Sequence, residues 1–449
     1  MIINSNIKSN LEERSKKLEQ SHIEIGLLIG QESEINDQQT YVLGFFPTPL
    51  NVDDDNKPIN IESILSIDKE WVLEYCHQIN LMLYGGIDIV GIYMITADSE
   101  TLNEKNNESF IMKLLKSIHI IINSKSLQFI SFSKKTGLIN GKSTNSSQLY
   151  RLKSTELKVI NNLETEFLSL HCILPIDINL KSNNNKNGMI SFENVKKDIK
   201  EIFENQLFKE SIILIENELA NDNEIISKLF KSKSNLKIDL LINQLDSNLT
   251  STSSLQFNFN NNNNNNNIHN KTHCIAYIHQ LEQVKTAIKF IKKDIIKSVE
   301  SRFDLLFNEI HSNKNEDKIK LSKESPILEL PRRVNIQWLS NDISICDYLS
   351  SDETIEDCCK TITDLLQIDS PKINSIESSK NNEKLTTKKN ITEKKENEGA
   401  KKEINETKSQ LPKQSSSQNI QTKQTNNLYF IIIISVLVLM MAFYFKFFV

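Results

Sequence analysis

Apolar residues along this chain recur with a period of two in some stretches and of three to four in others, and the alternation predicts the order of its elements. Residues 22–30 (HIEIGLLIG) and 41–46 (YVLGFF) are β-rich apolar runs around a polar turn, the pattern of a hairpin or of neighbouring strands. A helix follows. Ser66 or Asp68 is placed to cap it, Val72, Tyr75, Ile79 and Met82 repeat at helical spacing, and the Gly85-Gly86 pair stops it. Residues 87–96 (IDIVGIYMIT) read as a buried strand, and 108–123 as a second amphipathic helix with Ile111, Leu114, Leu115, Ile118 and Ile122 on one face. Further strands are expected near 127–132 and 167–175. Alternating strands and helices predict an α/β or α+β domain over residues 21–243, with an N-terminal segment, 1–20, outside it.

Residues 244–272 contain eight consecutive asparagines, Asn260 to Asn267, and bury too little apolar surface to offset their ordering entropy, so a disordered insertion is expected. A strand at 274–278 then leads to a long helix in which Val284, Ile288, Ile291, Ile295, Val299, Phe303, Leu306 and Ile310 keep three-or-four spacing. Strands near 333–338 and 343–348 and a helix at 354–366 complete a second, smaller α+β unit, 273–370. Residues 371–427, rich in Lys, Ser, Thr, Asn and Gln, read as a flexible tether. From Leu428 to Phe445 there are eighteen residues without a charge, Ser435 being the one that is neither apolar nor aromatic. At 1.5 Å rise per residue they make roughly 27 Å of helix, enough for a thin hydrocarbon core. A single transmembrane tail anchor over 428–449, in contact with membrane lipid through Leu428 to Phe445, is therefore expected.

The first twenty residues have no apolar h-region and no small-residue cleavage site, so the body is expected to stay in the cytosol. The lysine bias agrees: residues 371–427 hold twelve Lys and seven Glu, against a single Lys446 on the other flank. Removing these from totals of 53 basic and 58 acidic residues leaves 40 against 51 in positions 1–370, a net charge of −11. An acidic body excludes nucleic acid as the expected partner. The six cysteines, Cys76, Cys172, Cys274, Cys346, Cys358 and Cys359, form no CxxC pair, so in a cytosolic chain they are expected as reduced thiols.

Catalytic motifs are sparse. The chain has no GxxxxGK[ST], GxGxxG, GxSxG or HExxH motif. His269, His273 and His279 cluster in sequence without the carboxylate or cysteine spacing of a zinc site. His171 and Cys172 are adjacent, but neighbours in a strand point to opposite faces and make no thiolate pair. The order EIGLLIG, YVLGFFPTP, helix around Trp71, IVGIYMITADSE resembles the start of an MPN domain, the fold of the zinc-dependent JAMM deubiquitinases. In active members a strand of the type VGWYHSHP delivers two histidines to zinc. Laid on that pattern, VGIYMITA keeps Tyr93, but Met94 and Thr96 stand at the histidine positions and Ala97 at the proline. Glu24 is near the family's acidic residue, one residue too close to Gly26. The resemblance implies an MPN-like mixed sheet that is catalytically dead, with no metal, cofactor or catalytic residue; an unrelated α/β core remains the alternative.

Taken in order, GLLIGQ, YVLGFFPTP, residues 68–96, residues 274–307, PRRVNI, ICDYL and the terminal apolar run are similar to the Odr-four family, named for a defect in odorant response. The similarity covers about four-fifths of the chain. It implies a non-enzymatic adaptor at the endoplasmic reticulum membrane that assists maturation and trafficking of a subset of G-protein-coupled receptors. It also implies a link to the cytosolic cysteine protease of the ubiquitin-fold-modifier pathway, held at that membrane. Two rivals stand beside this expectation. A membrane-anchored hydrolase of ubiquitin-like conjugates would need a nucleophile or metal cluster, and a vesicle-fusion protein would need a heptad-patterned helix beside the membrane.

Overall fold

The computed structural model describes residues 1–377 apart from short stretches, the longest at 181–188, 259–270 and 321–329; residues 378–449, and with them the expected anchor, lie outside the described residues. Among the described residues no helix is long and apolar enough to cross a membrane.

The first sheet contains β1 (Ile2–Asn4), β2 (Glu24–Glu32), β3 (Thr40–Pro47), β4 (Asp88–Thr96), β5 (Ser126–Ser133), β6 (Ile139–Asn145), β7 (Lys153–Ser154) and β8 (Lys158–Ile160). Their spatial order is β7-β6-β5-β4-β2-β3-β1-β8. The two end strands are neighbours in sequence, and backbone N–H groups of Thr155 and Lys158 donate to the carbonyls of Gly141 and Met1. The sheet therefore curls round on itself. Its pairing is mixed: β2 is antiparallel to β3 and β4, whereas β4 runs parallel to β5 and β1 parallel to β3 and β8.

Helix α1 (Ser5–Lys17) covers one face, where Ile3, Ile7 and Leu11 join Leu28, Val42, Val90, Tyr93 and Ile95. The N-terminal segment expected outside the domain is thus part of its core. Helices α2 (Lys69–Met82) and α3 (Lys105–Ile122) cover the other face. Asp68 caps α2, its Oδ1 accepting from the Trp71 N–H at 3.1 Å, and Val72, Tyr75, Ile79 and Met82 are all buried as their spacing predicts. Asn123 ends α3 in the left-handed region at φ 51°, a conformation that asparagine tolerates.

The next stretch builds a second core. It runs through β9 (Phe167–Pro175), β10 (Asp177–Leu180), β11 (Met189–Ile190), α4 (Phe192–Lys200), a π-helical turn (Glu201–Leu207), α5 (Phe208–Glu210), β12 (Ile212–Ile215), α6 (Ile226–Leu229) and β13 (Asn235–Leu241). Beyond it come β14 (Asn248–Thr250), β15 (Leu255–Asn258), β16 (Lys271–His279) and α7 (Val284–Lys314). Strands β12, β13, β9 and β16 form one sheet in that order. β9, expected in the 21–243 domain, pairs antiparallel with β16, expected to open the 273–370 unit, and Cys172 stands opposite Cys274. The stretches on either side of the asparagines therefore share a sheet. The tract itself, 260–267, lies outside the described residues.

β17 (Ile319–Lys320) pairs with β11, and the last sheet is β19-β18-β20, from β18 (Arg332–Gln337), β19 (Ser344–Leu349) and β20 (Lys372–Ile376). β20 falls in the stretch expected to begin the tether. Helix α8 (Ile355–Leu366) starts at a capping box of Thr354 and Asp357. This last sheet and α8 pack into the first core, through Val334, Ile336, Ile345 and Ile362. β16 serves both cores: Ile275 and Tyr277 face the first, and Cys274, Ala276 and Ile278 the second, as strand alternation requires.

Candidate functional site

The register of β2 against β4 decides what stands at the JAMM-like position. Glu24 is opposite Ile95, and directly opposed residues share a face of the sheet. Tyr93 and Ile95 point into the core under α1, whereas Met94 lies in the core under α2 and α3. Glu24 therefore sits on the opposite face from Met94 and Thr96. The residue on their side is Ile23, also in that core. The one-residue offset of Glu24 reverses its face, because strand side chains alternate strictly.

Glu24 is committed elsewhere. Its Oε1 accepts from Tyr93 Oη and from Arg14 Nε, each at 2.7 Å, and its Oε2 from Arg14 Nη2 at 2.9 Å. Arg14 Nη2 also reaches Gln367 Oε1, at the end of α8, at 2.7 Å. Burial and the neighbouring carboxylate push the Tyr93 phenol well above its usual range. The arrangement fastens α1 to the start of β2. Met94 is fully buried, and Thr96 Oγ1 donates to the Asp98 carbonyl at 3.1 Å, so neither position presents an imidazole to an ion.

The other candidate groups do not converge. His269 lies outside the described residues. His273 and His279 are six positions apart on β16, about 20 Å along a strand. His279 is buried, stacked on Tyr41 with centroids 3.9 Å apart, and its Nε2 is 2.9 Å from Glu166 Oε2; burial lowers its pKa against the pull of that carboxylate. On β9, Cys172 faces the second core and His171 faces outward, its Nε2 2.9 Å from Ser169 Oγ. The Ser169 hydroxyl donates to Asn235 Oδ1, so the His171 ring donates to it through Nε2. Burial pushes the thiols of Cys76 and Cys172 up to about 12, and those of Cys274, Cys346 and Cys358 upward as well. These five are protonated at neutral pH, and a thiol is a poor nucleophile. Cys358 faces the core and Cys359 is half-buried, the division expected for helix neighbours. No group of three or more His, Cys, Asp or Glu among the described residues is placed to hold a metal.

Two further features carry charge. Arg333 and Asp294, both almost fully buried, form a two-pronged pair, Nη1–Oδ2 at 2.8 Å and Nη2–Oδ1 at 2.9 Å, where α7 of the second core meets β18 of the first. A cleft of about 980 Å³ opens between α2 and α3 on one side and α4 and α7 on the other. Lys196 and Lys200 of α4 and five lysines of α7 (285, 289, 292, 293 and 297) line it, over a floor that includes Leu81, Ile121, Ile288 and Ile296. The lysines of α7 flank its apolar stripe, and the spacing of that stripe alone says nothing of the helices that face them.

Fold and site together describe a mixed α+β protein with buried thiols, an occupied carboxylate at the JAMM-like position and a basic cleft. Residues 26–378 match the model of the family described as ODR4-like, odorant response abnormal 4-like, and the chain belongs to that family. The chain is 80% identical over 390 residues to the protein odr-4 homolog of Dictyostelium discoideum, covering 85% of this chain and 83% of that one. It is 26% identical over 359 residues to the human protein odr-4 homolog, covering 74% and 75%. Among solved structures, UfSP from C. elegans is similar at a TM-score of 0.38 and 8% identity, over 82% of this chain and 56% of that one.

Proposed function

We propose that this protein is a non-enzymatic adaptor, held by residues 428–445 at the endoplasmic reticulum membrane with its α+β body in the cytosol, where it assists maturation and trafficking of G-protein-coupled receptors. The observation that carries this reading is the eighteen-residue uncharged run behind a lysine-rich tether in a chain of the odorant-response family. The MPN-like start of the chain, with Met94 and Thr96 at its ligand positions and Glu24 turned to the other face, supports a body that binds rather than cleaves. A second cytosolic partner, the cysteine protease of the ubiquitin-fold-modifier pathway, fits the same role. A tether of about 50 residues, 378–427, has an r.m.s. reach on the order of 40 Å, so the body samples a thin shell above the bilayer at high effective concentration.

Topology is the test. Protease added to intact microsomes should digest the body, and removing residues 428–449 should release a soluble chain. The sequons at Asn107, Asn145, Asn248, Asn270, Asn390 and Asn405 should carry no glycan. A protected, glycosidase-sensitive body would overturn the proposal.

A further inference from the structure

The lysine-lined cleft has the form of a receptor for a helix. Between Lys285 and Asp304 the lining residues of α7 extend over nineteen positions, about 28 Å of rise. Ile288 and Ile296 line its floor, and Leu81 from α2, Ile121 and Ile122 from α3 and Phe208 from α5 complete the apolar surface. All but Phe208 are half-buried, apolar groups gathered at the surface along one cleft.

Charge defines the occupant. Seven lysines face three carboxylates, those of Glu204, Glu300 and Asp304, in a body whose net charge over positions 1–370 is −11. Lys289 and Lys293 are paired outside the cleft, with Glu34 at 3.0 Å and Asp88 at 2.8 Å. Lys196, Lys200, Lys292 and Lys297 form no ion pair among the described residues. Lys297 donates to the Leu83 carbonyl at 2.7 Å, Lys285 donates to Asn223 Oδ1 at 3.4 Å, and Lys292 lies over the Phe208 ring at 5.1 Å. Burial lowers the pKa of Lys292 against the pull of Asp222, and takes that of Lys297 to about 8 against the pull of Asp88, as expected of ammonium groups held at an apolar wall. Burial likewise raises the pKa of Glu300 and Asp304, which weakens the carboxylates as internal partners. The chain's own tether, 378–427, with eleven Lys against six Glu, has the wrong sign to fill the cleft. A bilayer surface is too flat to reach a floor recessed between helices.

We propose that the cleft between α2, α3, α4 and α7 receives an amphipathic helix of a partner protein, apolar on one face and acidic along its flanks. Such a helix sets its apolar residues on the isoleucine floor and its carboxylates against the lysines, the helix-in-groove mode of recognition. The proposal deepens the adaptor reading and rests on it for the partner being a protein.

The test uses the full-length chain in neutral-lipid nanodiscs and a fluorescein-labelled twenty-residue peptide, with leucine at helical spacing and glutamate on both flanks. The same peptide with lysine for glutamate is the control, and phosphatidylcholine vesicles with and without phosphatidylserine form a separate arm. The acidic peptide should bind and the lysine peptide should not. Lys196→Glu, Lys200→Glu and Lys292→Glu together should raise the Kd about tenfold or more. Unchanged circular dichroism is required of that variant. Should it fail to fold, the glutamine replacements at the same positions take its place and should weaken binding in the same direction. Half-buried Ile121→Asn should weaken binding without altering its salt dependence. Equal binding of both peptides, or an unchanged Kd in the charge variants, would overturn the proposal. So would binding only of phosphatidylserine vesicles, lost in the charge variants, which would make the cleft a membrane contact. Because the assay is indifferent to topology, failure here leaves the adaptor reading standing, and a protected body in microsomes removes that reading without touching the peptide result.

Discussion

A chain lacking residues 1–17 is expected to be unfolded and to partition into the insoluble fraction. Ile3 and Leu11 are 0% exposed and Ile7 is 1% exposed, all three in the core beneath the curled sheet. At about 1.5–3 kcal/mol for each fully buried side chain, their loss removes on the order of 5–9 kcal/mol, comparable to the whole stability of many domains. Sealing is lost as well. β1 joins β3 to β8, so its removal opens the sheet where its ends meet. The pair between Arg14 and Glu24 and the bond from Asn4 Nδ2 to Glu164 Oε2 at 2.5 Å disappear with it, leaving Glu164 buried without that donor's charge-assisted bond. Soluble yield and a circular-dichroism melt read the outcome. A soluble truncated chain melting within a few degrees of the intact one would show that the segment is an appendage.

Asp294→Ala is expected to destabilise the body by about 3–5 kcal/mol, the usual cost of breaking a buried ion pair from one side. The carboxylate accepts not only from Arg333 but from the backbone N–H groups of Ile275, at 2.9 Å, and Gly85, at 3.3 Å. Alanine would leave the Arg333 guanidinium buried against the Tyr84 ring, 4.4 Å away, with no counter-ion. The effect reaches both cores, because α7, β16, β18 and the turn between α2 and β4 all meet at this carboxylate. Urea titration is the measurement, and a loss below about 1 kcal/mol would show that the pair is dispensable. Asp294→Leu combined with Arg333→Met should recover much of the loss, since two apolar groups of similar volume leave no charge unpaired.

Elements whose signal is local were legible in the sequence. Asp68 caps the helix it precedes, a helix stands at 355–366 within a residue of its expected bounds, Ile111, Leu114, Leu115 and Ile118 are buried on one face of α3, and the first strands and helices follow in the predicted order. What escaped depends on distance or on a thin signal. α1 is polar nearly all round and carries only Ile7 and Leu11 as buried positions, a stripe too narrow for periodicity to reveal. The pairing of β9 with β16 joins residues about a hundred positions apart, across the asparagines, and nothing local announces it. Residues 332–376 return to the first core after the second is built, which no change of composition marks. At the JAMM-like position the sequence held the decisive detail, the single-residue offset of Glu24, but its consequence follows only once the register of β2 and β4 is known. The cleft needed the fold, because its lysines come from two helices separated by more than eighty residues.

The central claim is that the terminal run fixes an adaptor body at a membrane and that the body does the binding. Burial of apolar side chains in lipid is non-directional, so the identity of the anchor should not matter. In cells lacking the native protein, a chain whose residues 428–445 are replaced by an unrelated tail anchor of matched length and destination should restore receptor delivery to the surface. The same body without any anchor should not. Full restoration by the anchorless body would contradict the account, and so would failure of the swapped anchor in a protein that reaches the reticulum in normal amounts, since the binding would then lie within the bilayer.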